Sequence, residues 1–220
     1  MKKVILSMVF LLVFSVTAFA SPVTDLAPGK VGIDLTYRTG PSMKLSNDSG
    51  SVDPKGKGNL DFGVTIGIAD KWGIQYRQWD TTGKTWTNQG GNPETDKAYF
   101  KEANILYTLD KNLAAYIGFT QSKLTIEEGA TTYGGKNKNK VQVGLIGKAP
   151  LGNNLTGYAS IGAGSDLFNW EVGLSTKVWE NAEFNVSYRG VKVNKLELDN
   201  LTPKFDYDVK GFGFGLNVKF

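Results

Sequence analysis

Eight charged residues carry most of the chemistry open to this chain of 220 residues: Asp34, Asp61, Glu102 and Glu171 on the acidic side, Arg38, Arg77, Lys177 and Arg189 on the basic side. Carboxylates held close together divide acid and base work when their surroundings push their pKa values apart. Carboxylates matched by cations instead neutralise one another, and a closed set of ion pairs holds a shape rather than moving protons. The matched composition favours the second reading. The chain also has no histidine and no cysteine. A general base with a pKa near ~6.5 is therefore missing, as are disulfides and thiolate metal sites. No cofactor, no metal site and no catalytic residue is expected. A formal net charge of +4 is too weak a bias for a nucleic-acid partner, which selects basic charge concentrated on one face.

The segments that carry these charges alternate with period two, the periodicity of strands. Ten of them can be drawn, at 31–38, 60–69, 72–77, 102–109, 113–120, 141–145, 155–162, 170–177, 184–189 and 211–220. In the first, Val31, Ile33, Leu35 and Tyr37 share one face, and Gly32, Asp34, Thr36 and Arg38 the other. Leu106 interrupts an otherwise polar face. Connections alternate between tight turns rich in Asp, Asn and Gly and long polar stretches at 40–58, 81–97, 128–139 and 190–206, with 165–167 a short exception. Long loops at one end, short turns at the other and an even strand count predict a single closed antiparallel transmembrane β-barrel of about ten strands, eight being the alternative.

Three features turn the apolar face outward to lipid rather than inward around a ligand, as in a soluble secreted ligand-binding barrel. Strands of about ten residues, tilted, match a lipid band of roughly 25 Å. Aromatic residues fall at two levels: Trp72, Trp179, Phe184 and Phe220 near the short turns, Tyr37, Tyr76, Phe119, Trp170 and Tyr188 near the long loops. Such girdles are what the two membrane interfaces select. Glycines such as Gly211, Gly213 and Gly215 collect on the polar face, where an interior needs small residues beside bulky ones. The charged residues, with Tyr116 and Tyr158, then line or block a narrow lumen, since barrels of this size are just wide enough for side chains to fill.

Two further segments give an address. Lys2 and Lys3, an apolar run over 4–19 and Ala18-Phe19-Ala20 follow the order of a secretory signal peptide. Residues 1–20 are therefore expected to be removed, leaving 21–220 as one exported barrel domain. At the other end, Phe212, Phe214, Leu216, Val218 and Phe220 alternate up to an aromatic last residue. This series resembles the signal by which Gram-negative outer-membrane barrels are recognised by their assembly machinery. In pattern the chain resembles the small outer-membrane β-barrel proteins of the OmpA-barrel and opacity-protein type, which include adhesins, anchors, narrow pores and enzymes. Enzymes of that architecture are similar to one another in relying on histidine.

The resemblance implies a location in the outer membrane of a Gram-negative bacterium, contact with outer-membrane lipid and lipopolysaccharide, and a monomer. The role expected is non-enzymatic, structural or surface-interacting, with weak pore activity; a narrow porin-like channel for small solutes is the alternative. Long loops give an extracellular ligand its place. The Gly134–Lys140 stretch brings three lysines that could meet phosphates, and the alternating Val191–Leu198 predicts a last hairpin that projects past the bilayer and offers an edge for strand addition.

Overall fold

The computed structural model describes residues 26–88, 90–199 and 203–220. The expected signal peptide, and the proposed start of the mature chain at residue 21, lie outside the described residues. Among those described there is no helix, and the strands in chain order are β1 (Val31–Arg38), β2 (Ser42–Asn47), β3 (Gly50–Val52), β4 (Asn59–Ala69), β5 (Trp72–Thr82), β6 (Trp86–Thr87), β7 (Pro93–Asp110), β8 (Leu113–Glu128), β9 (Thr131–Tyr133), β10 (Lys138–Pro150), β11 (Leu155–Gly164), β12 (Leu167–Trp179), β13 (Ala182–Leu196) and β14 (Phe205–Lys219). Ten of them form one antiparallel ring, β1-β4-β5-β7-β8-β10-β11-β12-β13-β14, closed by pairing of β14 with β1. At that seam Gly32 faces Lys219 and Tyr37 faces Phe214. Val31 and Phe220 exchange both backbone hydrogen bonds, at 3.0 and 2.8 Å. Closure leaves no ring strand with an unpaired edge, which a sheet in lipid requires.

The apolar face points outward over the short-turn half of the ring. Leu60 (62% exposed), Phe119 (60%), Ile117 and Phe212 stand on the outside, while Asp61, Glu102, Thr65 and Gln142 are buried inside. This rules out an apolar interior around a ligand at that level, and the strand number is ten rather than eight. The aromatic residues form local stacks on the outer wall, Trp72 on Tyr107 with ring centroids 4.7 Å apart and Tyr188 on Phe212 at 4.6 Å. Trp170 joins the second stack, 5.5 Å from Tyr188.

The long polar stretches are not loops for most of their length. β7 begins at Pro93 and β8 ends at Glu128, so the barrel wall continues far beyond the apolar band. Over this extension the two faces exchange chemistry without a break in the alternation. On β8 the outward series runs Ile117, Phe119, then Gln121, Lys123; the inward series runs Gly118, Thr120, Ser122, then Leu124, Ile126. On β14, inward Phe205, Tyr207 and Val209 give way to Gly211, Gly213 and Gly215. The upper barrel is thus a water-soluble barrel with an apolar core, standing on a lower barrel turned inside out.

That core gathers Met43 and Leu45 of β2, Trp79, Phe100, Leu124, Ile126, Val191, Val193 and Tyr207, among others. Trp79 stacks on Phe100 with centroids 5.1 Å apart. The β2–β3 hairpin lies against β14, with Tyr207 facing Leu45 and Val209 facing Met43. The projecting hairpin of β13 and β14 is therefore covered: β12 pairs with it at Val191 and Val193 on one side and β2 on the other. The edge expected there for strand addition is already occupied.

Candidate functional site

The interior of the lower barrel brings most of the expected charged residues together. Alternation sends Arg38 (β1), Asp61 (β4), Arg77 (β5), Glu171 (β12) and Arg189 (β13) inward at one level. Arg38 Nε donates to Asp61 Oδ2 at 2.5 Å and its Nη2 to Glu171 Oε1 at 3.0 Å. Glu171 takes Arg77 Nη2 on its other oxygen at 2.8 Å. Arg189 Nη1 reaches Asp61 Oδ2 at 3.3 Å. Two carboxylates are thus shared among three guanidiniums, planar groups whose forked donors suit such bridging. Gly213 makes space for one of them: a side chain there would bring its Cβ within 3.0 Å of Arg38 Nη1.

A second network, of amides, crosses the same interior. Gln75 donates to Thr65 Oγ1 at 3.2 Å, Asn104 to Gln75 at 3.2 Å, Gln142 to Asn104 at 2.8 Å and Asn169 to Gln142 at 2.8 Å. These residues sit on β4, β5, β7, β10 and β12, so two links pass over an intervening strand. Glycine at the crossing points permits this, since a Cβ on Gly162 of β11 would lie 2.6 Å from Asn169 Oδ1. Asn169 also donates to Glu102 Oε1 at 3.4 Å, and the Tyr116 hydroxyl donates to Asn169 Oδ1 at 3.4 Å. Glu102 therefore belongs to the amide ladder rather than to the ion pairs.

The remaining expected lining residues lie apart. Asp34 and Tyr158 border the lattice with Ser160 and Asn217. Lys177 does not join it; it lines the short-turn mouth beside Lys219, Glu180 and Glu183, because it sits three rungs below Glu171 on the inward face of β12. Glu183 there takes Lys219 at 2.6 Å.

The lattice leaves a cavity of about 50 Å³, space for a few waters and nothing larger. Above it the guanidinium of Arg189 lies 3.6 Å from the centre of the Trp79 ring, a cation–π contact that joins polar lattice to apolar cap. Below it Leu26 enters the barrel from the chain preceding β1 and packs with Leu106, Tyr116 and Ile146. This accounts for the interrupted polar face: Leu106 and Ile146 are the seat for Leu26. The lumen is consequently filled at three levels, by apolar cap, ion pairs and amides, and an apolar stopper.

Sequence reasoning did not find the amide ladder, the cap or the stopper. Gln75, Asn104, Gln142 and Asn169 look like any polar face, Leu26 has no periodic neighbours, and the cap hides in stretches whose outward residues are polar. Several charges outside the apolar band are also paired. Of the three lysines in Gly134–Lys140, Lys138 lies 3.1 Å from Glu197 and Lys140 lies 2.7 Å from Asp166. Lys195 also reaches Asp166 at 2.9 Å. Hydrogen bonds from Lys140 and Lys195 hold the Asp166 carboxyl down at about 2, and Lys138 lowers that of Glu197. Asp96, on the inward face of β7 at cap level, is fully buried. Neither of its oxygens accepts a well-formed hydrogen bond, the Trp86 indole beside it giving only partial relief. Burial, reinforced by Glu94, pushes its pKa up to about 7.

Among the described residues no group of three or more acidic, His or Cys side chains is placed to hold a metal ion. No family model matches the chain, and no curated protein matches it in sequence. Among solved structures it is similar to the outer membrane protease OmpT from Escherichia coli, at 13% identity and a TM-score of 0.61, over 93% of this chain and 99% of that one. Looser likenesses are to Neisserial surface protein A, at 16% identity and a TM-score of 0.43 over 92% and 100% of the two chains, and to Ail, the attachment invasion locus protein of Yersinia pestis, at 14% and 0.43 over 88% and 99%. What the chain shares with the protease is the closed antiparallel barrel fold.

Proposed function

We propose that this chain is a sealed barrel of a Gram-negative outer membrane, non-enzymatic, that works as a structural or surface-interaction protein through the upper barrel it raises above the lipid. The observation that carries this reading is the filling of the lumen at three levels, with only about 50 Å³ left in the middle layer. A channel needs a continuous aqueous path, and here an apolar cap and a leucine stopper stand at the two ends of the charged layer. Of the carboxylates that acid–base chemistry would use, Asp61 and Glu171 are neutralised by arginines and Glu102 is held in the amide ladder. The short-turn end, carrying Leu26, faces the periplasm in this reading. The long-loop end faces outward, where a rigid, charge-paired surface can meet an extracellular partner. Contacts with outer-leaflet glycolipid and with the barrel assembly machinery, and a monomeric state, belong to the same proposal.

Single-channel recording of the refolded residues 21–220 in planar bilayers tests it. Folded, inserted protein should stay silent. Steady conductance steps that change on neutralising Arg77 or Arg189 would overturn the sealed reading and make the lattice a pore lining.

A further inference from the structure

The outer wall carries a recess where the strand register sets a small residue between two rings. On adjacent strands, Tyr76 of β5 faces Ala103 of β7, which faces Phe119 of β8. One rung toward the short turns the same strands present Ile74, Ile105 and Ile117. Alanine in a row otherwise made of isoleucine, tyrosine and phenylalanine leaves a hollow of about 560 Å³ lined by these side chains, within the ~300–1,000 Å³ of small-molecule sites. It lies in the outward apolar band, at the level where that band ends.

The rung immediately above is of a different chemistry. Gln78, Lys101 and Gln121 face one another across β5, β7 and β8, and Gln121 donates to Asn139 of β10 at 3.0 Å. Tyr76 sends its hydroxyl up to Gln78 Oε1 at 2.9 Å. One rung higher stand Asp80, Tyr99 and Lys123. Neither Lys101 nor Lys123 takes part in an ion pair within 4 Å among the described residues, whereas neighbouring Lys97 is bound to Glu127 at 2.5 Å. An apolar hollow below a shelf of one cation and three amides, with a second cation above, has the polarity of a lipid whose headgroup is anionic. Two lysines against the single carboxylate of Asp80 make the charge complementary to phosphate.

We propose that this recess is a specific lipid site that seats one acyl chain of a phosphorylated, multiply acylated glycolipid of the outer leaflet, with its phosphate on Lys101 and Lys123. The assignment rests on the outer-membrane reading and deepens it by naming where the glycolipid is held. Phosphate gains a charge-assisted hydrogen bond from lysine at the membrane surface, and the acyl chain replaces looser lipid contacts with the walls formed by Ile105, Ile117, Tyr76 and Phe119.

The test uses the folded chain in zwitterionic detergent, with bis-phosphorylated lipid A as probe and dephosphorylated lipid A, phosphatidylglycerol and phosphatidylcholine as competitors. Native mass spectrometry counts the lipid retained per barrel. One lipid A should be retained, dephosphorylated lipid A and phosphatidylcholine much less. Lys101→Gln should weaken retention about fivefold, the worth of one lysine against an anionic lipid, and Lys101→Arg should restore it. Ala103→Phe fills the hollow from the outer face and should abolish retention while leaving the barrel folded, as judged by its resistance to unfolding in cold SDS. Equal retention of all four lipids, retention unchanged in Ala103→Phe, preference for phosphatidylglycerol over lipid A, or a second copy of the chain cross-linking through Ala103→Cys would each overturn the site. Fractionation of expressing cells separates this from the parent reading: a chain absent from the outer membrane fails both, whereas an outer-membrane chain without preference for lipid A fails the site alone.

Discussion

A carboxyl group surrounded by hydrocarbon is stable only when it keeps its proton, and Asp96 is in that position. It is fully buried, with Glu94 nearby to discourage a second negative charge, and its pKa stands at about 7 against 3.8 for an ordinary aspartate. The folded form holds the proton more tightly than the unfolded chain, so the stability this gives is complete below pH ~4 and is lost as pH rises through 7. The stability of the upper barrel against thermal unfolding should therefore fall between pH 5.5 and 8.5, by about 2 kcal/mol. Asp96→Asn should remove most of that dependence and raise stability at pH 8.5. An unchanged slope in the variant would place the titrating group elsewhere. The arginine lattice shows the opposite solution: Glu171 is also buried but carries Arg38 and Arg77 on its two oxygens, which lets it remain charged.

At the scale of the strands, the exchange of faces predicts two units of unequal character on one wall. Tyr207, fully buried in the cap, packs on Phe100 at 6.2 Å and shares a 2.7 Å hydrogen bond with Thr81. Tyr207→Ala should cost about 3–5 kcal/mol, as large-to-small changes at buried rings do, and it should cost it locally. Limited trypsinolysis is expected to cut the variant at Lys195 or Lys204 while the lower barrel keeps its resistance to cold SDS. Simultaneous loss of both would show one cooperative unit instead. The same exchange explains what could be read beforehand. Strands such as 113–120 were legible because apolar residues on one face of a period-two series mark a half-buried sheet whichever side is lipid. Their continuations were not, because Gln121, Lys123 and Thr125 on the outside interleave with Leu124 and Ile126 within, and a scan tuned to one assignment sees a polar stretch. The ion pairs were legible as composition, yet which carboxylate serves which arginine depends on the stagger of ten strands. That stagger gives Glu171 to Arg77 and sends Glu102, Arg77's own neighbour across the β5–β7 pair, to Asn169.

The whole molecule hangs on one seam. β1 is the shortest of the ten ring strands, Val31–Arg38, and β14 spans Phe205–Lys219; their pairing closes the ring. Phe220 ends the seam, exchanging hydrogen bonds with Val31 while its ring, 64% exposed, points outward. If the alternating Phe212–Phe220 series is read by the assembly machinery, Phe220→Ser should lower the amount of folded barrel in outer membranes severalfold, yet leave refolding of the purified chain into detergent close to wild type, since the seam's backbone bonds are untouched. Equal losses in both settings would make the ring a packing residue and nothing more.

A ship floats at one depth because its hull changes section at the waterline, and the Gln78–Lys101–Gln121 rung is such a line drawn across β5, β7 and β8. Sinking the molecule by a single rung, ~6–7 Å along a strand, would drag lysine and glutamine into hydrocarbon at up to ~2–4 kcal/mol for the lysine at full depth; lifting it would bare phenylalanine and isoleucine to water. For a barrel seated in the outer membrane as proposed, draught and trim are thus set by the chain itself, which holds the upper barrel at one height, like a fixed mast and not a buoy.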